Sequence, residues 1–252
     1  LEQVLEKIKA CVIRMRKANI DVVEIHGDRL VGALCSKILN KREDEFGGSF
    51  ENRTRFALMM FDTIKSVSGD MLIEYKLPIV TKDRNGNLIG KGGLELDEAV
   101  KLAKLLDERG IDMIHVAQAN HTGNMNDTIP AMGTRDYAFM LKETKAIREA
   151  VSCKISTVGR LTNSFVGEAL LSNGTVDMVA FGRSLLTDPD IVNKLMENKP
   201  NLIRQCIMCN KGCTDAISSR RFLSCVLNAE NGYETKRHIA KAEHSYNVAV
   251  VG

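Results

Sequence analysis

No stretch of this sequence approaches the ~20 apolar residues that a membrane-crossing helix needs. Neither charge dominates. The 35 Lys and Arg stand against 32 Asp and Glu, a formal net charge of +3, which leaves no basic footprint for nucleic acid. No secretory leader is visible, because LEQVLEKIKACVIRMRK (1–17) reads as an amphipathic helix. Seven cysteines without a leader fit a reducing, cytoplasmic setting, where clustered cysteines bind metals rather than pair. An initiating methionine is also missing. The chain opens at Leu1 and stops at NVAVVG (247–252), an apolar strand ending in one glycine, where a G-x-G-x-x-G nucleotide-binding turn would begin. The two ends together predict a piece of a longer protein.

What is present supports a folded domain. Hydrophobic residues make up 44% and charged residues 27%, enough of each for a sizeable core under a solvated surface. Four of the seven cysteines fall within 20 residues, as Cys206, Cys209, Cys213 and Cys225 in CIMCNKGCTDAISSRRFLSC. The spacing C-x2-C-x3-C-x11-C places three thiolates on one tight loop and returns the fourth after a short excursion, which suits an iron–sulfur cluster or a structural zinc. Cys11, Cys35 and Cys153 lie in apolar segments and are expected to be packing residues.

Along the chain, strands and helices alternate. Strands are expected at 21–27, 72–77, 112–118, 154–160 and 177–183. Helices are expected from Ser49 as N-cap, then at 94–110 with Gly110 as C-cap, 135–151, 163–174, and 188–198 with Asp188 capping and Pro189 at the first position. Five β-α units after an initial helix predict a parallel α/β sheet. Polar residues at strand C-termini, His26, Lys76, Gln118, Arg160 and Arg183, favour a (β/α)8 TIM barrel over a doubly wound sheet, because a barrel gathers such residues on one rim. Five units are too few to close eight strands, so three are expected before Leu1.

The strings VEIHG (23–27) and NKREDEFGGSFENRTRF (40–56), with the strand ends STVGR (156–160) and VAFGR (179–183), resemble the flavin-dependent old yellow enzyme family. The four cysteines narrow the resemblance to its multidomain iron–sulfur branch, which includes 2,4-dienoyl-CoA reductase, 2-enoate reductase, bile-acid-inducible oxidoreductases and trimethylamine dehydrogenase. The resemblance implies three parts. Residues 1–200 would be a partial FMN-binding barrel, 201–235 a 4Fe–4S segment, and 236–252 a linker and the first strand of a truncated dinucleotide-binding domain. FAD and NAD(P)H would belong to that last, missing part.

The same resemblance assigns residues. Gly159, Arg160, Gly182 and Arg183 would hold the FMN phosphate, where glycines allow close backbone approach and arginines neutralise charge. Lys76, where relatives carry arginine, would sit at the flavin pyrimidine edge and stabilise the anionic reduced ring. His26 would hydrogen-bond a substrate carbonyl and polarise an α,β-unsaturated system toward hydride. His121 would be the proton donor. His115, by its place within the strand rather than by resemblance, is expected to be a packed core residue. The single C-x2-C with a distant fourth cysteine, unlike the paired knuckles of zinc sites, agrees with the implied 4Fe–4S cluster.

One departure stands out. Relatives follow H-G with x-x-G-Y, whose tyrosine donates a proton, but HGDRLVGALCSKILNKR (26–42) has no tyrosine. The expected activity is NAD(P)H-dependent reduction of an activated C=C bond in a small unsaturated carbonyl or carboxylate. The alternatives are an amine dehydrogenase or demethylase running electrons the other way, and a non-catalytic fragment or electron-transfer subunit. Neither nucleic acid nor membrane is an expected partner, and self-association into a homo-oligomer is left open.

Overall fold

The computed structural model describes residues 1–120, 125–161, 164–237, 239–240 and 242–251, with only the backbone of Ser164. Two compact units divide it, Leu1–Phe181 and residues 182–252.

The first unit is built on one parallel sheet. Its strands are β1 (Val22–His26), β2 (Leu72–Ile79), β5 (Met113–Gln118), β6 (Lys154–Thr157) and β7 (Met178–Val179), side by side in that order. A short hairpin, β3 (Thr81–Lys82) with β4 (Leu88–Ile89), follows β2. The main strands run without the reversal that makes a doubly wound sheet, so the wall is wound in one direction, as in a barrel.

The two faces of this sheet differ. Ile25, Ile73, Tyr75, Ile114 and Ile155 are buried on one face, against the helices α1 (Glu2–Lys17), α2 (Arg29–Cys35), α3 (Phe50–Ser68), α4 (Leu96–Glu108), α5 (Leu141–Arg148) and α6 (Ser164–Ser172). The alternate positions Glu24, His26, Glu74, Lys76 and His115 are polar and face the other way. The strands therefore do alternate, contrary to the unbroken apolar runs usual in parallel strands covered on both faces.

Local chemistry sets the element ends. The Ser49 hydroxyl accepts from the Asn52 amide at 3.3 Å and starts α3 as expected. Gly110, at φ 76°, ends α4, and the Lys65 ammonium donates to the carbonyls of Arg109 and Gly110 at 2.7 Å each. Strand starts use aspartates: Asp112 accepts from the Ile73 amide at 2.8 Å and Asp177 from the Ile155 amide at 2.9 Å.

Several expectations shorten. The helix expected at 135–151 is only α5. Before it, Ala138 takes φ 49° and Arg135 turns aside to bond Gln118 at 2.8 Å and stack on the Phe139 ring. The hairpin and α2 follow no strong period and were not expected. Cys35 is buried, and burial pushes its thiol up to about 12, as it does for half-buried Cys153. Cys11 is instead exposed on α1.

The second unit has little regular structure: α7 (Arg183–Thr187), α8 (Ile191–Met196), a 3-10 turn at Pro200–Leu202 and α9 (Thr214–Ser218). The helix expected from 188 starts only at Ile191. Asp188 keeps the expected capping contact, its Oδ1 accepting from the Asp190 amide at 3.2 Å, while its Oδ2 accepts from Lys194 Nζ at 2.7 Å and the Arg204 amide at 2.9 Å. No helix among the described residues is long and apolar enough to cross a membrane.

Candidate functional site

The polar face of the first unit carries the first group of candidates. His26 ends β1, is exposed, and its Nδ1 accepts from the Asp28 amide at 3.3 Å. That bond holds the neutral imidazole with its proton on Nε2, so Nε2–H is a ready donor. Asp28 is itself fixed, since its carboxylate accepts from the Arg29 amide at 2.8 Å and caps α2. Gly27 is required beside it: a Cβ there would lie 2.2 Å from the Lys76 carbonyl oxygen.

Lys76 pairs in register with both His26 and His115. It does not end its strand as expected, because β2 runs on to Ile79 and leaves Lys76 inside the sheet face. Below it lies a cluster the sequence reading missed. His115 Nδ1 is 3.3 Å from a Glu24 carboxylate oxygen and 3.8 Å from one of Glu74, and the Ser156 hydroxyl donates to Glu74 at 2.9 Å. The hydrogen bond from His115 holds Glu24 below the ordinary carboxylate range, against the desolvation that opposes it and with help from Lys76. His115 is thus part of a charged network rather than an apolar packing residue. The charged alternate positions in V-V-E-I-H, L-I-E-Y-K and M-I-H were the signal that could have found it.

Gly159 and Arg160 follow β6. Gly159 has φ 139°, and a Cβ there would meet the Phe139 ring at 3.0 Å, so only glycine fits. Arg160 lies over the Tyr137 ring at 4.6 Å. His121 lies outside the described residues. Gln118 is no free rim residue: it is buried and joins Thr81 to the backbone of Ile79 and Ile89. A separate cavity of about 760 Å³ opens between the hairpin and the starts of α4 and α5, but none of the expected site residues lines it. The strand-face chemistry is therefore the better guide to the site than cavity size.

A second missed feature fixes the segment between α2 and α3. Arg53 is buried, and its guanidinium donates to the Gly48 carbonyl at 3.0 Å, to the Cys35 carbonyl, and to Glu98 at 2.8 Å. Lys37 reaches the same carboxylate at 2.9 Å. This gives the NRTRF string a physical role, a buried cation fastening both ends of residues 35–48.

In the second unit all four cysteines, Cys206, Cys209, Cys213 and Cys225, line one cavity, together with Arg183. Gly182 precedes α7 and is exposed. Met208 and Asn210 adopt φ 56° and 60°, which curls the loop so that the Met208 amide donates to Cys206 Sγ at 3.3 Å. Such curled loops present amides to anions and are common around sulfur clusters. Gly212 lets the fourth cysteine return: the Ser224 amide donates to the Gly212 carbonyl at 2.7 Å, and a Cβ on Gly212 would lie 2.5 Å from the Ser224 oxygen.

The donor set tests the metal. Around one tetrahedral zinc, with Zn–S near 2.3 Å, ligand sulfurs stand about 3.8 Å apart. No three of these sulfurs lie within 4.8 Å of one another; among the described residues only Glu24, Glu74 and His115 form so tight a group. Four thiols around one cavity are a donor set of the kind that a zinc ion or an iron–sulfur cluster takes.

Residues 1–201 match the model of the NADH:flavin oxidoreductase / NADH oxidase family. The chain is 57% identical over 252 residues to bilirubin reductase of Mediterraneibacter gnavus, covering all of this chain and 39% of that protein. It is 30% identical over 265 residues to cinnamate reductase of Clostridium sporogenes, covering all of this chain and 40% of that one. Among solved structures, 2-naphthoyl-CoA reductase with 2-naphthoyl-CoA superposes with a TM-score of 0.81 over 93% of this chain and 35% of that one, at 22% identity, a likeness of fold. The chain spans about two fifths of the length of these curated relatives.

Proposed function

The chain belongs to the NADH:flavin oxidoreductase / NADH oxidase family, and from that premise we propose that it is the FMN- and iron–sulfur-carrying part of an NAD(P)H-dependent reductase of activated C=C bonds. The observation that carries the reading is the convergence of Cys206, Cys209, Cys213 and Cys225 on one cavity. When bound, FMN supplies hydride chemistry and a 4Fe–4S cluster supplies one-electron relay.

The chain's own residues do the rest. Gly159 lets the backbone approach a phosphate closely, and Arg160 beside it supplies positive charge. Gly182 and Arg183 are the second such pair in sequence. Lys76 places a cation on the polar sheet face, where it favours an anionic reduced flavin. His26, with its proton held on Nε2, donates to a substrate carbonyl and draws electron density from the conjugated C=C. His121 is the candidate proton donor.

The bilirubin reductase similarity, which runs along the whole chain, makes a conjugated tetrapyrrole the first substrate to try and cinnamate the second. The test uses the full-length enzyme, purified anaerobically. NAD(P)H oxidation against bilirubin, cinnamate and an enoyl thioester is expected with at least one of them, in a protein whose spectra show flavin and an EPR-active cluster after reduction. Absence of turnover with all three in the FMN-loaded enzyme, or a colourless protein with stoichiometric zinc, would sink the reading.

A further inference from the structure

Among the described residues, none proposed for flavin, substrate or cluster lines the cavity of about 760 Å³ beside the hairpin. Pockets for small molecules are about 300–1,000 Å³ and mostly apolar, with a few placed polar groups. This cavity has that composition. Val80, Ile89, Leu96 and Phe139 supply an apolar wall, and Arg135 and Glu143 line it as well.

Arg135 is held from two sides. Its Nη2 donates to Gln118 Oε1 at 2.8 Å and to Thr81 Oγ1 at 3.2 Å, and its guanidinium lies over the Phe139 ring at 4.5 Å. Those contacts fix the guanidinium plane but leave Nε buried with no acceptor among the described residues. Burial lowers Arg135 from its ordinary value, against the opposing charges of Glu143 and Asp127. Glu143 sits in the first turn of α5, is only 9% exposed, and keeps Oε2 buried with no donor among those residues. The two side chains are near enough for their charges to interact, yet no hydrogen bond takes either atom. A buried donor and a buried acceptor left open cost free energy, which a ligand carrying the opposite groups recovers.

The class of ligand follows from this pair. A guanidinium N–H is best met by a carboxylate, and a carboxylate by an ammonium. Four cationic and five anionic side chains are among the described lining residues, so no net positive field favours a polyanion. The apolar wall suits a hydrocarbon side chain. We infer that this cavity binds a small zwitterion, an α-amino acid with an apolar side chain, its carboxylate on Arg135 and its ammonium on Glu143. The site is separate from the flavin chemistry and does not rest on the proposed activity.

The experiment is calorimetric titration of the full-length enzyme with L-leucine, with 4-methylpentanoate, which lacks the ammonium, and with isopentylamine, which lacks the carboxylate. Hydrogen exchange with and without L-leucine locates the site. Saturable L-leucine binding is expected at millimolar affinity or better, about tenfold tighter than either analogue, with slowed exchange in residues 80–89 and 133–143. Glu143→Gln is expected to weaken L-leucine about tenfold without weakening 4-methylpentanoate, and Arg135→Met to weaken L-leucine as much without weakening isopentylamine. Should either variant fail to fold, the wild-type comparison decides. Absence of saturable L-leucine binding overturns the inference, as does an analogue that binds as tightly or protection confined to other residues. Unaltered L-leucine binding in folded Glu143→Gln and Arg135→Met overturns it too, and leaves the cavity to water.

Discussion

The two units reach order by different means. In the first, α3 and the strands bury Phe56, Phe61, Tyr75, Leu77 and Ile114 completely, and a continuous apolar layer joins helices to sheet. In the second, among the described residues, the buried apolar side chains are Ile191, Met208 and Ala216, three against seven buried polar ones, among them Asp188, Asn210 and Asn228. Its helices run five or six residues, below the length at which a helix is stable by itself. Burial can hold the first unit. The second must draw on polar contacts and, on the proposed reading, on a metal centre at the four cysteines, as small metal-holding modules do.

Removing the proposed iron should break this contrast most strongly. Iron chelation from the full-length protein is expected to open residues 182–252 to protease while Leu1–Phe181 keeps its protection. Equal protection of both units with and without iron would mean the second has a sufficient core of its own. Next in size, Phe61→Ala should cost about 3–5 kcal/mol, because a fully buried ring leaves a cavity. A urea titration followed on the first unit reads this as a lower midpoint, and a loss under ~1 kcal/mol would contradict close packing there.

Gly212→Ala is expected to act on the second unit through about 1–3 kcal/mol of overpacking against the Ser224 carbonyl and to reduce iron incorporation. Iron content equal to wild type would show that the return of Cys225 does not depend on that close approach.

Acid sharpens the comparison further. Burial pushes the Asp188 carboxyl up, but Lys194 and the Arg204 amide outweigh it and hold it below its ordinary value. A depressed carboxylate contributes stability above the unfolded value near 3.9 and loses it as pH falls through the folded value. The second unit should therefore loosen as pH drops below about 4, and Asp188→Asn should flatten that part of the profile. An unchanged profile in the variant would assign the acid sensitivity elsewhere. The smallest effect is Ser49→Ala, about 1 kcal/mol from the lost cap of α3, read as a modest fall in the first unit's midpoint.

Much of the first unit was legible because its elements are long and periodic. The strands at Val22, Leu72 and Met113 and the helix after Ser49 start within a residue of where the pattern places them. The misses share one cause. Arg135 looks helical by its neighbours, but its guanidinium is claimed by Gln118. Asp188 and Pro189 read as a helix start, and Asp188 does accept from the Asp190 amide, but its other oxygen is held by Lys194 and Arg204 and α8 begins only at Ile191. His115 reads as core, but lies opposite carboxylates on two other strands. Each error comes from a polar partner distant in sequence.

The sequence by itself determined the alternation of strand and helix, the family, and the four thiols close enough in the chain to meet, because those depend on period, motif and spacing. The tertiary structure alone decided that Glu24, Glu74 and His115 form one charged group, that Arg53 ties down the segment between α2 and α3, and that Arg183 turns to Asn210 beside the cysteines. Those depend on register and long-range hydrogen bonds, which bring together residues that no local pattern relates.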